Sequence, residues 1–205
     1  KLEEATAKRY LPAAELSKLK SATASNPQCE YARKLFLFSY YCYGISFIDM
    51  AMLTTAHIKQ MEDGNYIVYK RQKIKRQKGV KPISIKITPA IRQLIGSLQA
   101  ASPTVDDFLL PIVTRSGYTG ERLYMHIRAR YSKYQKYLRL LAEELGIDFH
   151  LTSYVSRHTA AMTLQRNNIP REVISQMLGH ADLETTNIYL DSFDNEVINE
   201  AAKVL

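Results

Sequence analysis

Asn65-Tyr-Ile-Val-Tyr69-Lys-Arg-Gln-Lys73-Ile-Lys-Arg-Gln-Lys78-Gly-Val-Lys-Pro82-Ile-Ser-Ile-Lys-Ile87 is the stretch where the periodicity of the chain changes. Its flanks, 65–69 and 82–87, are rich in β-branched and aromatic residues, and Lys78-Gly79 marks a turn between them, which predicts a β-hairpin. Between the flanks lie Lys70, Arg71, Lys73, Lys75, Arg76, Lys78 and Lys81 with no acid among them, so the hairpin carries a cationic tip.

Outside this stretch the spacing is helical. Pro12 to Leu19 reads as a short helix with proline in its first turn. Tyr31 to Tyr43, with Leu35, Phe36, Phe38, Tyr40 and Tyr41, reads as a buried helix, and Phe47, Ile48, Ala51 and Met52 continue the spacing after Gly44. Pro89 to Leu98 is helical, and 101–120 is mostly loop. The longest helix runs from Glu121 to Leu145. Its Tyr124, Ile127, Tyr131, Tyr134, Leu138, Leu141 and Leu145 form a stripe for the core, and Gly146 closes it. Thr152 or Ser153 caps a helix carrying Arg157 and His158, and Pro170 opens another that ends at Gly179. Asp182 caps a short helix with Tyr189, and Phe193 to Leu205 is amphipathic. The fold class is mainly α with a small antiparallel β-sheet (α+β), in a single domain over 1–205.

The charge pattern points to an anionic partner. Twenty-eight Lys and Arg against twenty Asp and Glu give a net charge of +8. A second basic stretch, Arg115 to Arg139, holds seven cations against Glu121 alone, whereas Asp182 to Leu205 has six acids against Lys203. At 205 residues and 46% apolar the chain supports one proper core. No apolar run approaches the ~18 residues of a membrane span, and no signal peptide opens the chain. Cys29 and Cys42 stand apart, without disulfide-framework or zinc spacing, which fits a reducing compartment. GxGxxG, GxxxxGK[ST], HExxH and GxSxG are absent. Acidic pairs that could hold Mg²⁺ do not cluster near the basic segments, which weakens a metal-dependent nuclease reading.

What remains is a set of basic and phenolic groups: Leu151-Thr-Ser-Tyr154-Val-Ser-Arg157-His158-Thr159, then Leu178-Gly179-His180, then Tyr189 nine residues later. Upstream stand Gly44-Ile-Ser46-Phe-Ile-Asp49-Met-Ala-Met-Leu53 and the hairpin Lys73. In that order and at those separations the boxes resemble the catalytic domain of the tyrosine recombinases, the phage-integrase family of site-specific DNA strand exchangers. The resemblance runs from about Tyr10 to Tyr189.

The resemblance implies roles. Tyr189 is the nucleophile that forms a 3′-phosphotyrosine, Arg157 a phosphate clamp, His180 a hydrogen-bond donor to a phosphate oxygen, and Lys73 the general acid for the departing 5′-oxygen. Arginine forks then supply the charge stabilisation that Mg²⁺ supplies elsewhere, so neither metal nor cofactor is expected. Tyr154 stands where the family has histidine, and its phenol still donates. Ser46 falls on the family's first arginine. Losing one such contact costs about 10²–10³ in rate, and Arg71, Arg76 and Arg115 are the arginines that could reach the phosphate instead. Similar Gly-x-Ser-Phe boxes occur in integrases of conjugative elements. Asp49 reads as a buried support for neighbouring basic groups, and His158 as a brace beside the clamp. His57, His126 and His150 read as structural or exposed.

The expected partner is double-stranded DNA, with Lys70, Arg71, Lys75, Arg76 and Lys78 on phosphates. By the same resemblance the enzyme works as a homotetramer on paired sites and is a monomer as an isolated domain. An N-terminal DNA-clamp domain is absent from this chain, and the acidic 193–205 helix docks on a neighbouring subunit. Location in the bacterial cytoplasm, on the nucleoid, and a role in integration or excision of a mobile element complete the expectation. The alternative is a non-catalytic DNA-binding or regulatory relative that lost activity through Ser46.

Overall fold

The computed structural model describes residues 10–75 and 78–180. In chain order they form α1 (Ala13–Ser21), α2 (Pro27–Tyr41), α3 (Phe47–Ala51), a 3₁₀ turn (Thr55–His57), β1 (Ile58–Met61), β2 (Gly64–Tyr69), β3 (Ile83–Lys86), α4 (Pro89–Ala101), α5 (Gly120–Glu144), α6 (Ser153–Arg166) and α7 (Arg171–Leu178). Arg76, Asp182, Tyr189 and the 193–205 segment lie outside the described residues. Among the described residues no helix is long and apolar enough to cross a membrane.

Helix α2 is the axis of the core. It begins four residues before the apolar run, because Asn26 accepts the Gln28 N–H (2.8 Å) and Pro27 occupies the first turn. Leu35, Phe36 and Phe38 are fully buried, and α4, α5 and α6 pack around them. Each such side chain contributes roughly 1.5–3 kcal/mol by leaving water.

The hairpin is present, with β2 and β3 antiparallel and Tyr69 opposite Ile83. Ile67, Tyr69, Ile83 and Ile85 all face the core. The sheet nevertheless has three strands, in the order β1-β2-β3, where the sequence predicted two. Ile58-Lys-Gln-Met61 pairs with β2 through a turn at Glu62-Asp63, but it turns only one half-buried residue inward. Period-two patterning therefore misses it, and Asp63-Gly64 was the turn cue.

The α5 stripe divides. Ile127, Tyr134, Leu138 and Leu141 are buried as expected, but Tyr124 is 59% exposed and Tyr131 36%. The C-terminal half packs on α2, while the N-terminal half overhangs a cavity. The expected cap of α6 also differs. Thr152 sits at the cap position without a side-chain bond, and the Ser153 N–H donates instead to Gln135 Oε1 of α5 (3.0 Å).

Between α2 and α3 the chain turns at Gly44, with φ +71. The turn is held by the Gly44 N–H to Ser39 O (2.7 Å) and by Ser39 Oγ donating to Ile45 O (2.7 Å). A Cβ at position 44 would collide with the Cα, Cβ and Cγ of Arg157. Replacing Gly44 by alanine therefore combines a left-handed backbone with a collision against α6. The expected cost is about 2–5 kcal/mol, read as a lower midpoint in urea denaturation.

Candidate active site

Arg157 sits in the second turn of α6 and is 6% exposed. Its Nη1 donates to Gly44 O (3.2 Å) and its Nη2 to Leu178 O (2.6 Å) and His180 Nε2 (2.8 Å). A guanidinium has no acceptor, so His180 Nε2 is the accepting, unprotonated nitrogen in this arrangement. Leu178 ends α7, and its carbonyl lacks an intrahelical donor at the negative end of the helix dipole. One buried cation thus joins α6, the Gly44 turn and the end of α7.

Gly179 makes that arrangement possible. It is left-handed (φ +63), and the His180 N–H returns to Ser175 O at 3.1 Å, which fixes the direction of His180. A Cβ here would run into Ile83 Cδ1 and come within 2.9 Å of its Cγ1 and 3.3 Å of Arg71 Cδ. Arg71 Nη1 donates to Gly179 O (3.2 Å). Successive carbonyls, Leu178 and Gly179, therefore hold two guanidinium groups side by side.

Ser46 caps α3. Its Oγ accepts the Asp49 N–H (3.2 Å) and donates to Asp49 Oδ2 (2.6 Å). Asp49, 3% exposed, uses Oδ1 to accept the Gln72 N–H (2.7 Å). The expectation that this carboxylate supports basic side chains is corrected by these bonds: it ties the Ser46 box to the hairpin backbone next to Lys73.

A cavity of about 390 Å³ opens beside these groups, and neither Asp49 nor His180 lines it. Ser46, Arg71, Tyr154 and Arg157 line it together with Arg128 of α5. Tyr154 is 58% exposed, and its ring stands 5.7 Å from that of His158. Lys73, Lys70, Lys75 and Lys78 are exposed on the tip, and Lys73 does not line the cavity. Of the three arginines that could stand in for the one missing at Ser46, the structure brings Arg71 to the cavity. Arg115 is exposed away from it, and Arg76 lies outside the described residues.

Other groups have structural partners. His57 Nδ1 accepts the Thr54 N–H (3.0 Å) and His126 Nε2 the Thr114 N–H (3.1 Å). Burial, then the cations Arg130, Arg115 and Lys133, hold the His126 imidazole below its ordinary pKa. Tyr69 and Tyr134 are buried, and burial pushes their phenols far above the ordinary range. Sequence reasoning left Arg128 among undifferentiated surface cations. Its place on the Tyr124–Tyr131 stripe was the available cue.

The Phage integrase family model matches residues 9–196. The chain belongs to the phage integrase family. It is 31% identical over 114 residues to tyrosine recombinase XerC of Rhodospirillum centenum, covering 56% of this chain and 31% of that protein. To tyrosine recombinase XerD of Halalkalibacterium halodurans it is 43% identical over 54 residues, covering 26% and 18%. The chain thus spans less than a third of the length of these relatives. Its fold is that of the XerA recombinase (TM-score 0.65, 23% identity, 95% of this chain and 64% of that one). It is also that of the Tn1549 transposon integrase solved with transposon right-end DNA (TM-score 0.66, 12% identity, 100% and 68%). This is the tyrosine recombinase catalytic fold, mainly helical with a small antiparallel sheet.

Replacing Asp49 by alanine leaves the Ser46 hydroxyl and the Gln72 amide without their acceptor. The expected result is a loss of roughly 2–4 kcal/mol in urea denaturation, with faster hydrogen exchange at Gln72. Unchanged exchange there would show that the tip does not hang on Asp49.

Proposed function

We propose that this chain is the catalytic domain of a recombinase that integrates or excises a mobile element by transesterification. The reading rests on one observation above the others: Arg157 and Arg71, held by successive carbonyls, line one cavity, with His180 bonded to Arg157. An entering DNA phosphate accepts from both guanidinium groups and relieves the repulsion between them. It also competes for Arg157 Nη2, and His180 Nε2, released from that bond, takes up a proton and donates to the phosphate.

In the proposed reaction Tyr189 gives its phenolic proton to solvent, its oxygen attacks phosphorus and the bond to the 5′-oxygen breaks. Lys73 gives that oxygen its proton as the tip closes over the DNA. The 3′-phosphotyrosine keeps the energy of the broken bond, and the 5′-hydroxyl of a second strand reverses the step and releases Tyr189. Tyr154 donates from the cavity wall where the family has histidine. Arg71 takes the place left by Ser46, with Lys70, Lys75, Arg76 and Lys78 on flanking phosphates. The relative solved with transposon right-end DNA supports a mobile-element substrate. Tetramer assembly, an N-terminal clamp and docking of 193–205 on a neighbour belong to the same reading.

The use of Ser46 as a helix cap favours a second reading, a binder without catalysis. A library of nicked duplexes, incubated with EDTA and quenched in SDS, separates the two. The expected result is a covalent DNA adduct on Tyr189, absent in Tyr189→Phe and reduced about 10²–10³-fold in rate by Arg71→Ala or Arg157→Ala. Intact DNA binding with no adduct would support the binder.

A further inference from the structure

The part of the cavity that the transesterification does not use is aromatic. Tyr124, Ile127, Arg128 and Tyr131 follow one another at helical spacing along α5 and line it, with Phe47 and Ile48 of α3 opposite. The same stripe continues into Tyr134, Leu138 and Leu141, which are buried against the core. Among the described residues this stripe has its packing partner for one half and borders a cavity with the other.

The wall is rigid. Tyr131 Oη lies 3.1 Å from Ser153 Oγ and accepts from Gln135 Nε2 (3.2 Å), and its ring stands 5.3 Å from that of Phe47. The ring face is thereby fixed from two sides. Arg71, Arg128 and Arg157 share the cavity, and none of the described residues lining it is acidic. Flat aromatic faces beside several guanidinium groups recognise an anion with a planar ring attached, which is the chemistry of a nucleotide. At about 390 Å³ the cavity falls within the usual range for small-molecule sites.

We propose that the Tyr124–Tyr131 wall holds an unstacked base of the substrate DNA, one whose phosphate lies at the arginine pair. This inference rests on the DNA-directed reading above and adds a step to it: the strand opens locally at the reacting phosphate, and the freed base stacks on α5. The cost of unstacking one nucleotide is a few kcal/mol, and stacking on the wall offsets it. Arg128 is then a contact to the phosphate or the edge of that same nucleotide.

The test uses two probes, a short fully paired duplex and the same duplex carrying one unpaired 2-aminopurine nucleotide. The full chain is expected to bind the second more tightly and to quench its 2-aminopurine emission. Tyr124 is 59% exposed, so Tyr124→Ala folds, as a thermal melt checks. It should lose the preference by roughly 5- to 150-fold, the worth of one base–aromatic stack, and Tyr124→Trp should restore it. Equal binding of the two duplexes with unquenched emission, or a Tyr124→Ala variant that behaves as the parent, would overturn the base site while leaving the DNA-directed reading intact. Failure to bind either duplex at low salt would overturn both.

Discussion

Everything at this site depends on burying the Arg157 guanidinium. A cation removed from water costs several kcal/mol unless its donors are satisfied. Among the described residues Arg157 Nη1 and Nη2 find acceptors in three separate places, the Gly44 carbonyl, the Leu178 carbonyl and His180. The same constraint explains both glycines. Gly44 must lack a side chain because Arg157 occupies that space, and Gly179 must turn left-handed to bring His180 back toward α6. The Arg157 guanidinium is thus built into the packing of the fold, not laid on its surface.

The second arginine follows from the first. Arg71 leaves the end of β2 and reaches Gly179 O, so successive carbonyls at the end of α7 each hold one guanidinium group, at the negative end of the helix dipole. Ser46, freed of any charged duty, caps α3 and through Asp49 fixes the hairpin that carries Arg71 and Lys73. The Ser46 cap and the Arg71 anchor are thus tied together through Asp49 and the hairpin backbone.

Much of this was legible in the sequence, and the parts that were not have physical reasons. Pro170 and Gly179 announced the two ends of a helix, and the structure has it; the return of His180 toward α6 was not read from the sequence. The hairpin was visible in the change of period, but β1 was not, since an edge strand with one inward residue has no alternation to detect. The stripe on α5 was read whole as core because spacing reports a face and not what covers it. Tyr124 and Tyr131 lie on the right face but, among the described residues, they border a cavity and are not packed into the core. The choice of Arg71 over Arg115 could not be made from separation along the chain, because it depends on how closely α7 approaches β3. Asp49 was expected beside cations and instead accepts a hydroxyl and an amide, a distinction that only three-dimensional registry decides.

The central claim is that Arg71 and Arg157 together neutralise one phosphate, with Arg71 in place of the arginine that Ser46 lacks. Replacing the scissile phosphate of a cleavable duplex by a neutral methylphosphonate tests it most directly, because the substrate then carries no charge for an arginine to offset. The account predicts that Arg71→Ala, slow on the ordinary phosphodiester, cleaves the methylphosphonate at a rate close to that of the unsubstituted chain. An Arg71→Ala variant equally slow on both substrates would contradict it and place Arg71 outside the reacting phosphate's field.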